Sequence, residues 1–237
     1  MATENDTAGA GPSALEERLR GVSPLARIES HEWDEAAWPV SERLLDSVEA
    51  QLALARGRLT YERFLRSGTD GYPAPGANGR PSLPFFQRAA ELFHRTGDRG
   101  GEREALFWVG TVQQVVYGDY SAASVALEEA RELAEADDDR LVLSCVERHL
   151  GFIAFLEGMT TEAQTHLEES LRLRRTNGPP ASVAMALVAL AELSVEQRNL
   201  DRARSELDEA TSIARANGAT AALQAIERAR RTATPPK

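Results

Sequence analysis

'GDYSAASVALEEARELAEADD', residues 118–138, is matched forty residues on by 'GMTTEAQTHLEESLRLRRTNG', residues 158–178, and forty further on by 'RNLDRARSELDEATSIARANG', residues 198–218. Each stretch carries a small residue, a large one and a small one: Ala123, Leu127, Ala130; Ala163, Leu167, Ser170; Ala203, Leu207, Ala210. Leu133, Leu173 and Ile213 follow three residues later. Steps of three and four put these side chains on one face of a helix. The alternation of size lets two helices approach closely at the small residues while the leucine fills the space between them.

The punctuation keeps the same period. Gly97, Asp138, Gly178 and Gly218 fall just past each second helix, at steps of 41, 40 and 40. Glycine takes the left-handed cap of a helix at no steric cost, and the three glycines are expected to do so. Pro179 and Pro180 then open a new helix, where a missing N–H costs nothing. A second periodic run precedes each stretch: 'REALFWVGTVQQVVY', 'VLSCVERHLGFIAFLE' and 'SVAMALVALAELSVEQ'. The unit is therefore a helix, a short turn at Gly118, Gly158 or Arg198, and a second helix. One such pair cannot bury its apolar face alone, so the pairs must stack.

The small residues Thr111, Gly151 and Ala191 in the first helices, the 'GDY' turn at Gly118–Tyr120 and the small-large-small signature resemble tetratricopeptide repeats over residues 81–232. Each unit is about six residues longer than the usual repeat and lacks the proline near the end of the second helix. The longer form resembles repeats of bacterial regulators and their sensor modules. HEAT-type repeats share the length without the turn and the alternation. The resemblance implies an all-α, right-handed solenoid of antiparallel helix pairs, whose first helices line a concave surface.

Upstream, Phe86, Ala89 and Leu92 continue the second-helix pattern, with Ser41–Leu65 as the first helix of that pair. Residues 13–80 read as an N-terminal helical segment, opening on a short capped helix at Ser13–Arg20. It contains a loop at 67–80, with four glycines and two prolines, whose composition favours disorder. Residues 1–12 and 233–237 read as disordered ends, and Ala219–Arg231 as a capping helix. Trp33 and Trp38 lie in a poorly patterned segment that could fill the groove from within the chain.

The resemblance places the groove on first-helix residues turned away from their pair partner. Counted from the small mid-helix residue, these are Trp108, Val112 and Val115, then Arg148, Phe152 and Phe155, then Met185, Val188 and Glu192. An apolar groove with one arginine suits a helix or an apolar peptide, with Arg148 fixing a carboxylate or a helix C-terminus. A non-catalytic scaffold for a protein or peptide partner, in a regulatory role, is the reading that follows. The alternative is a small-molecule sensor or helical enzyme using an apolar cavity.

Composition narrows the classes. Of 237 residues, 42% are hydrophobic and 27% charged, with a net charge of −10. An acidic chain without a basic stripe argues against nucleic-acid binding, since 'LRLRR' at 171–175 and 'RARR' at 228–231 fall late in helices, where cations suit the dipole. No run approaches the ~18 apolar residues of a membrane span, and the start resembles no secretory signal, so a cytoplasmic location is expected. Four histidines without a second ligand at helical spacing give no metal site, and no cofactor is expected. Cys145 and His149 share a helical face but lack the orienting group a nucleophile needs. An end helix or the groove could also pair two copies as a homodimer.

Overall fold

A computed structural model of the chain describes residues 38–67 and 82–233. Among them are nine helices and no strand: α1 (Trp38–Arg66), α2 (Leu83–Thr96), α3 (Arg99–Val112), α4 (Tyr120–Ala136), α5 (Arg140–Leu156), α6 (Thr160–Asn177), α7 (Pro180–Glu196), α8 (Leu200–Ala216) and α9 (Thr220–Ala233). Each helix packs on the next, so the chain is an all-α solenoid of antiparallel pairs. α3 also touches α1 and α5, which sets the odd-numbered helices side by side along one face of the array. The expected disordered ends, the Ser13–Arg20 helix, Trp33 and nearly all of the 67–80 loop lie outside the described residues. α1 begins three residues before the expected Ser41, with Pro39 in its first turn, where proline loses no hydrogen bond.

The short turns explain the period. Most connections place one residue at positive φ and the next in a non-helical N-cap with ψ between 67° and 84°. The left-handed residues are Gly97, Gly118, Asp138, Gly158, Arg198 and Gly218. Asp98, Asp119, Asp139 and Asn199 then accept a hydrogen bond from the backbone N–H three residues on, satisfying one of the free donors at the helix start. Gly178 departs from its expected left-handed cap: it is extended, with φ −91° and ψ 156°. Pro179 accounts for this, because a residue before proline is held in the extended region.

The size alternation is realised in the core. Ala123, Leu127 and Ala130 are fully buried, as are Ala203 and Ala210. A Cβ added to Gly151 would lie 2.8 Å from Leu167 Cγ, so α5 and α6 meet through glycine against leucine. In the preceding pair the same contact is made by Gly110, whose added Cβ would lie 2.6 Å from Leu127 Cγ, and not by Thr111.

The one-residue offset has a local cause. Between α3 and α4 the segment Gln113–Tyr117 winds as a π-helical turn. Such a turn absorbs one extra residue within a helix, which is why Gly97 and Asp138 stand 41 residues apart and the later turns 40. Upstream of it, the face of α3 is displaced by one position relative to α5 and α7.

Candidate functional site

That displacement redistributes the expected groove residues. Val112 stands where Ile153 stands in the next pair, and it is fully buried. Val188 is also in the core, only 4% exposed, in the cluster that α9 helps to close over α7. Neither offers a surface to a ligand. Val115 and Met185 are exposed, while Phe152 and Phe155 are half-buried against the C-terminal core. Glu192 retains exposed surface, yet burial raises its carboxyl pKa and the Arg228 charge opposes that rise.

Trp108 and Arg148 belong to one continuous aromatic and cationic cluster. Trp108 stacks on Phe86 of α2 with centroids 5.5 Å apart and meets Tyr61 of α1 edge-on at 5.6 Å. Its indole Nε1 donates to Glu104 at 3.2 Å, and Glu104 pairs with Arg58 of α1. Phe107 turns an edge toward Trp108 and another toward His149 of α5, both at 5.4 Å. Aromatic pairs in these offset and edge geometries add to the area they bury.

His149 is buried and held from both sides. The Arg148 guanidinium donates to Nε2 at 2.9 Å. Since arginine can only donate, Nε2 is the acceptor and Nδ1 carries the proton toward Gln114 Oε1. Gln114 Nε2 in turn donates to the His149 carbonyl at 3.3 Å. Gln114 lies in the π turn, so that turn supplies the side chain that orients the imidazole. Burial, and then the charges of Arg148 and Arg174, hold the His149 pKa well below 6.5, leaving the ring neutral.

Two guanidinium groups share this region. Arg148 lies 5.8 Å from the Phe152 ring centroid, a cation–π placement. Arg174 of α6 is only 6% exposed. It donates to the Ser182 carbonyl at 3.1 Å, to the Ser144 carbonyl at 3.5 Å and to Cys145 Sγ at 3.8 Å, and among the described residues its Nε has no partner. Among the described residues neither arginine has a carboxylate partner. Burial lowers both pKa values, and at Arg148 the Arg174 charge adds to the effect. Burial also pushes the Tyr61 hydroxyl up to about 12, against the pull of Arg148. No group of three metal-ligating side chains occurs among the described residues.

Sequence reasoning missed Tyr61, Phe107, Gln114 and Arg174. The 41-residue step carried the signal for the π turn, and with it for Phe107 and Gln114. In the sequence Arg174 stands with Arg172 and Arg175 in one helix-end run. In the structure Arg172 and Arg175 pair outside with Glu169 and Glu209, while Arg174 turns inward.

Residues 142–216, spanning most of α5 through α8, match the tetratricopeptide repeat family model. Proteins provisionally named HTH-type transcriptional regulators are similar to this chain over 137 residues at 29% identity. They come from Mycobacterium bovis (strain ATCC BAA-935 / AF2122/97) and Mycobacterium tuberculosis (strains CDC 1551 / Oshkosh and ATCC 25618 / H37Rv). The similar region is 56% of this chain and 15% of each relative, so this chain corresponds to a small part of those proteins. Among the described residues no helix is long and apolar enough to cross a membrane.

Proposed function

We propose that this chain, which carries tetratricopeptide repeats, is a non-catalytic scaffold that holds a protein or peptide partner on the face formed by α1, α3, α5 and α7. An acidic group of the partner is received at Arg148. The observation that carries this reading is the pair Arg148 and Arg174, two desolvated cations with no carboxylate beside them among the described residues. Leaving a charge buried and unpaired costs several kcal/mol. An acidic side chain or a terminal carboxylate reaching Arg148 from the Phe152 side would offset that cost and form a charge-assisted hydrogen bond. Trp108, Phe107, Phe152 and Phe155 supply apolar area around it, the combination of anchor and clamp that peptide grooves use. The relatives' provisional names support a regulatory setting, in which the bound partner biases an effector.

Affinity purification from the native host, followed by native mass spectrometry, tests this. A stoichiometric protein or peptide on the wild-type chain, lost with Arg148→Gln and weakened at least tenfold with Phe152→Ala, is expected. A retained mass below that of a short peptide would overturn the reading in favour of a small-molecule sensor. A partner that binds both variants unchanged would place its site elsewhere.

A further inference from the structure

α1 differs from every other helix of the array. It has 29 residues, where the others have 14 to 18. At 1.5 Å per residue it is about 43 Å long. Its inner face follows ordinary repeat logic: Ala50, Ala53, Leu54, Tyr61 and Phe64 are buried toward α2 and α3. Asp46 of α1 pairs with Arg95 in the last turn of α2, so the residues of α1 before Asp46 run past the end of its neighbour.

The opposite face is apolar too. Leu45, Leu52 and Leu59 recur every seven residues and are 52%, 48% and 49% exposed. Val48 and Ala55 fall between them at the intermediate heptad position, half-buried and exposed respectively. Single exposed leucines need no explanation, but a heptad stripe along one helix is the seam of a helix–helix contact.

The charges beside the stripe identify what it fits. Flanking it on one side, again seven residues apart, are Glu42, Glu49, Arg56 and Arg63. The order is two acids and then two bases, symmetric about Leu52 to within half a residue. When two such helices lie antiparallel with Leu52 at the two-fold axis, Leu45 meets Leu59 of the second copy. Glu49 then meets Arg56 of the second copy, and Glu42 meets Arg63. In a parallel pair this flank would instead face the opposite flank of the second copy, Leu44, Gln51 and Arg58, and the complementary acids and bases would not meet. Arg56 and Arg63 have no carboxylate partner among the described residues, whereas Glu49 already contacts Arg88 at 2.9 Å and would bridge two arginines. The part of α1 that overruns α2 would lie along the C-terminal half of the second copy's α1.

We propose that this face of α1 is a homodimer interface, in which two copies pair their first described helices antiparallel about Leu52. The contact is isologous, the commonest symmetry of soluble dimers, and it leaves the face bearing Arg148 and Phe152 open. It is independent of the partner reading given above.

Sedimentation equilibrium of the full chain at about 50 µM tests it, a concentration suited to a contact of modest area. The wild type should be a dimer, and Leu52→Arg should be a monomer with unchanged helical circular dichroism. Arg56→Glu and Glu49→Arg should each be monomeric, because each sets like charges across the seam. An equimolar mixture of those two variants should recover the dimer, since each supplies the sign the other lacks. A monomeric wild type would overturn the proposal and assign the stripe to residues before Trp38 or to a different protein. So would a dimer indifferent to Leu52→Arg, or a mixture that stays monomeric. Should Leu52→Arg not fold, Leu52→Cys in a Cys145→Ser background takes its place. A disulfide-linked dimer is then expected under mild oxidation, and its absence overturns the proposal.

Discussion

Gly151→Ala tests the interlock that sets the spacing of the helices. The new Cβ would stand 2.8 Å from Leu167 Cγ, 2.9 Å from Leu167 Cδ2 and 3.3 Å from the Ala163 carbonyl oxygen. Carbon atoms in good contact are about 3.5–4.0 Å apart, so the methyl overlaps the leucine by close to an ångström. Overpacking of this kind costs about 1–3 kcal/mol. Alanine in place of glycine inside a helix returns about 1 kcal/mol. The net expectation is a loss of up to about 2 kcal/mol. Leu167→Ala alone, at a side chain 2% exposed, should cost about 2–5 kcal/mol. In the double variant the methyl enters the space the leucine vacates. Gly151→Ala should therefore stabilise the Leu167→Ala background by about 1 kcal/mol, although it destabilises the wild type. Equilibrium urea unfolding followed by far-ultraviolet circular dichroism measures all four corners of the cycle. Additive effects, or a Gly151→Ala variant as stable as any ordinary helical glycine-to-alanine change, would refute close approach as the role of Gly151.

Three further perturbations follow from local geometry. His166 bonds Glu147 at 2.7 Å in a largely buried pair, and that bond, more than any other cause, raises the histidine pKa. The charged form is therefore favoured by folding. Its stabilisation, about 1.5–3 kcal/mol for a bond between charged groups, should be fully present below pH ~6.5 and fade as pH rises through the higher folded value. The difference in unfolding free energy between wild type and His166→Gln across pH 5–9 should shrink in that direction. Met159 occupies an N-cap with a backbone close to that of Asp139, φ −81° and ψ 67° against φ −82° and ψ 82°, but makes no capping bond. Met159→Asp should raise stability by about 0.5–2 kcal/mol in thermal unfolding. Arg198 holds φ 59° where four of the equivalent turns carry glycine. Arg198→Gly should stabilise by roughly 0.5–1 kcal/mol in urea titrations, with no change in helical signal.

The solenoid was legible because its signals are local and repeated. Ala123, Leu127 and Ala130 set the phase of a second helix, and their recurrence forty residues later fixes the pairing of helices. The site was only partly legible, because its side chains come together through a break in that repetition. Thr111, Gly151 and Ala191 align the first helices at a step of forty, whereas the π turn at Gln113–Tyr117 makes Gly110 the contact residue. One position on a helix is a rotation of about 100°, enough to carry Val112 into the core while Phe107 comes to meet His149. Arg174 was hidden for another reason: three arginines in five residues look alike in sequence, and only packing decides which one bonds the Ser144 and Ser182 carbonyls. Tyr61 reaches the cluster from α1 across the 67–80 loop, a separation that periodicity does not span.

Site-specific photocrosslinking in the native host tests the scaffold reading most directly. A photoreactive phenylalanine at Phe152, beside Arg148, is compared with one at Val125, which is 61% exposed on α4. The account predicts a discrete protein or peptide adduct at position 152 that disappears with Arg148→Gln, and none at position 125. No adduct at 152, or the same adduct at both positions, would contradict it.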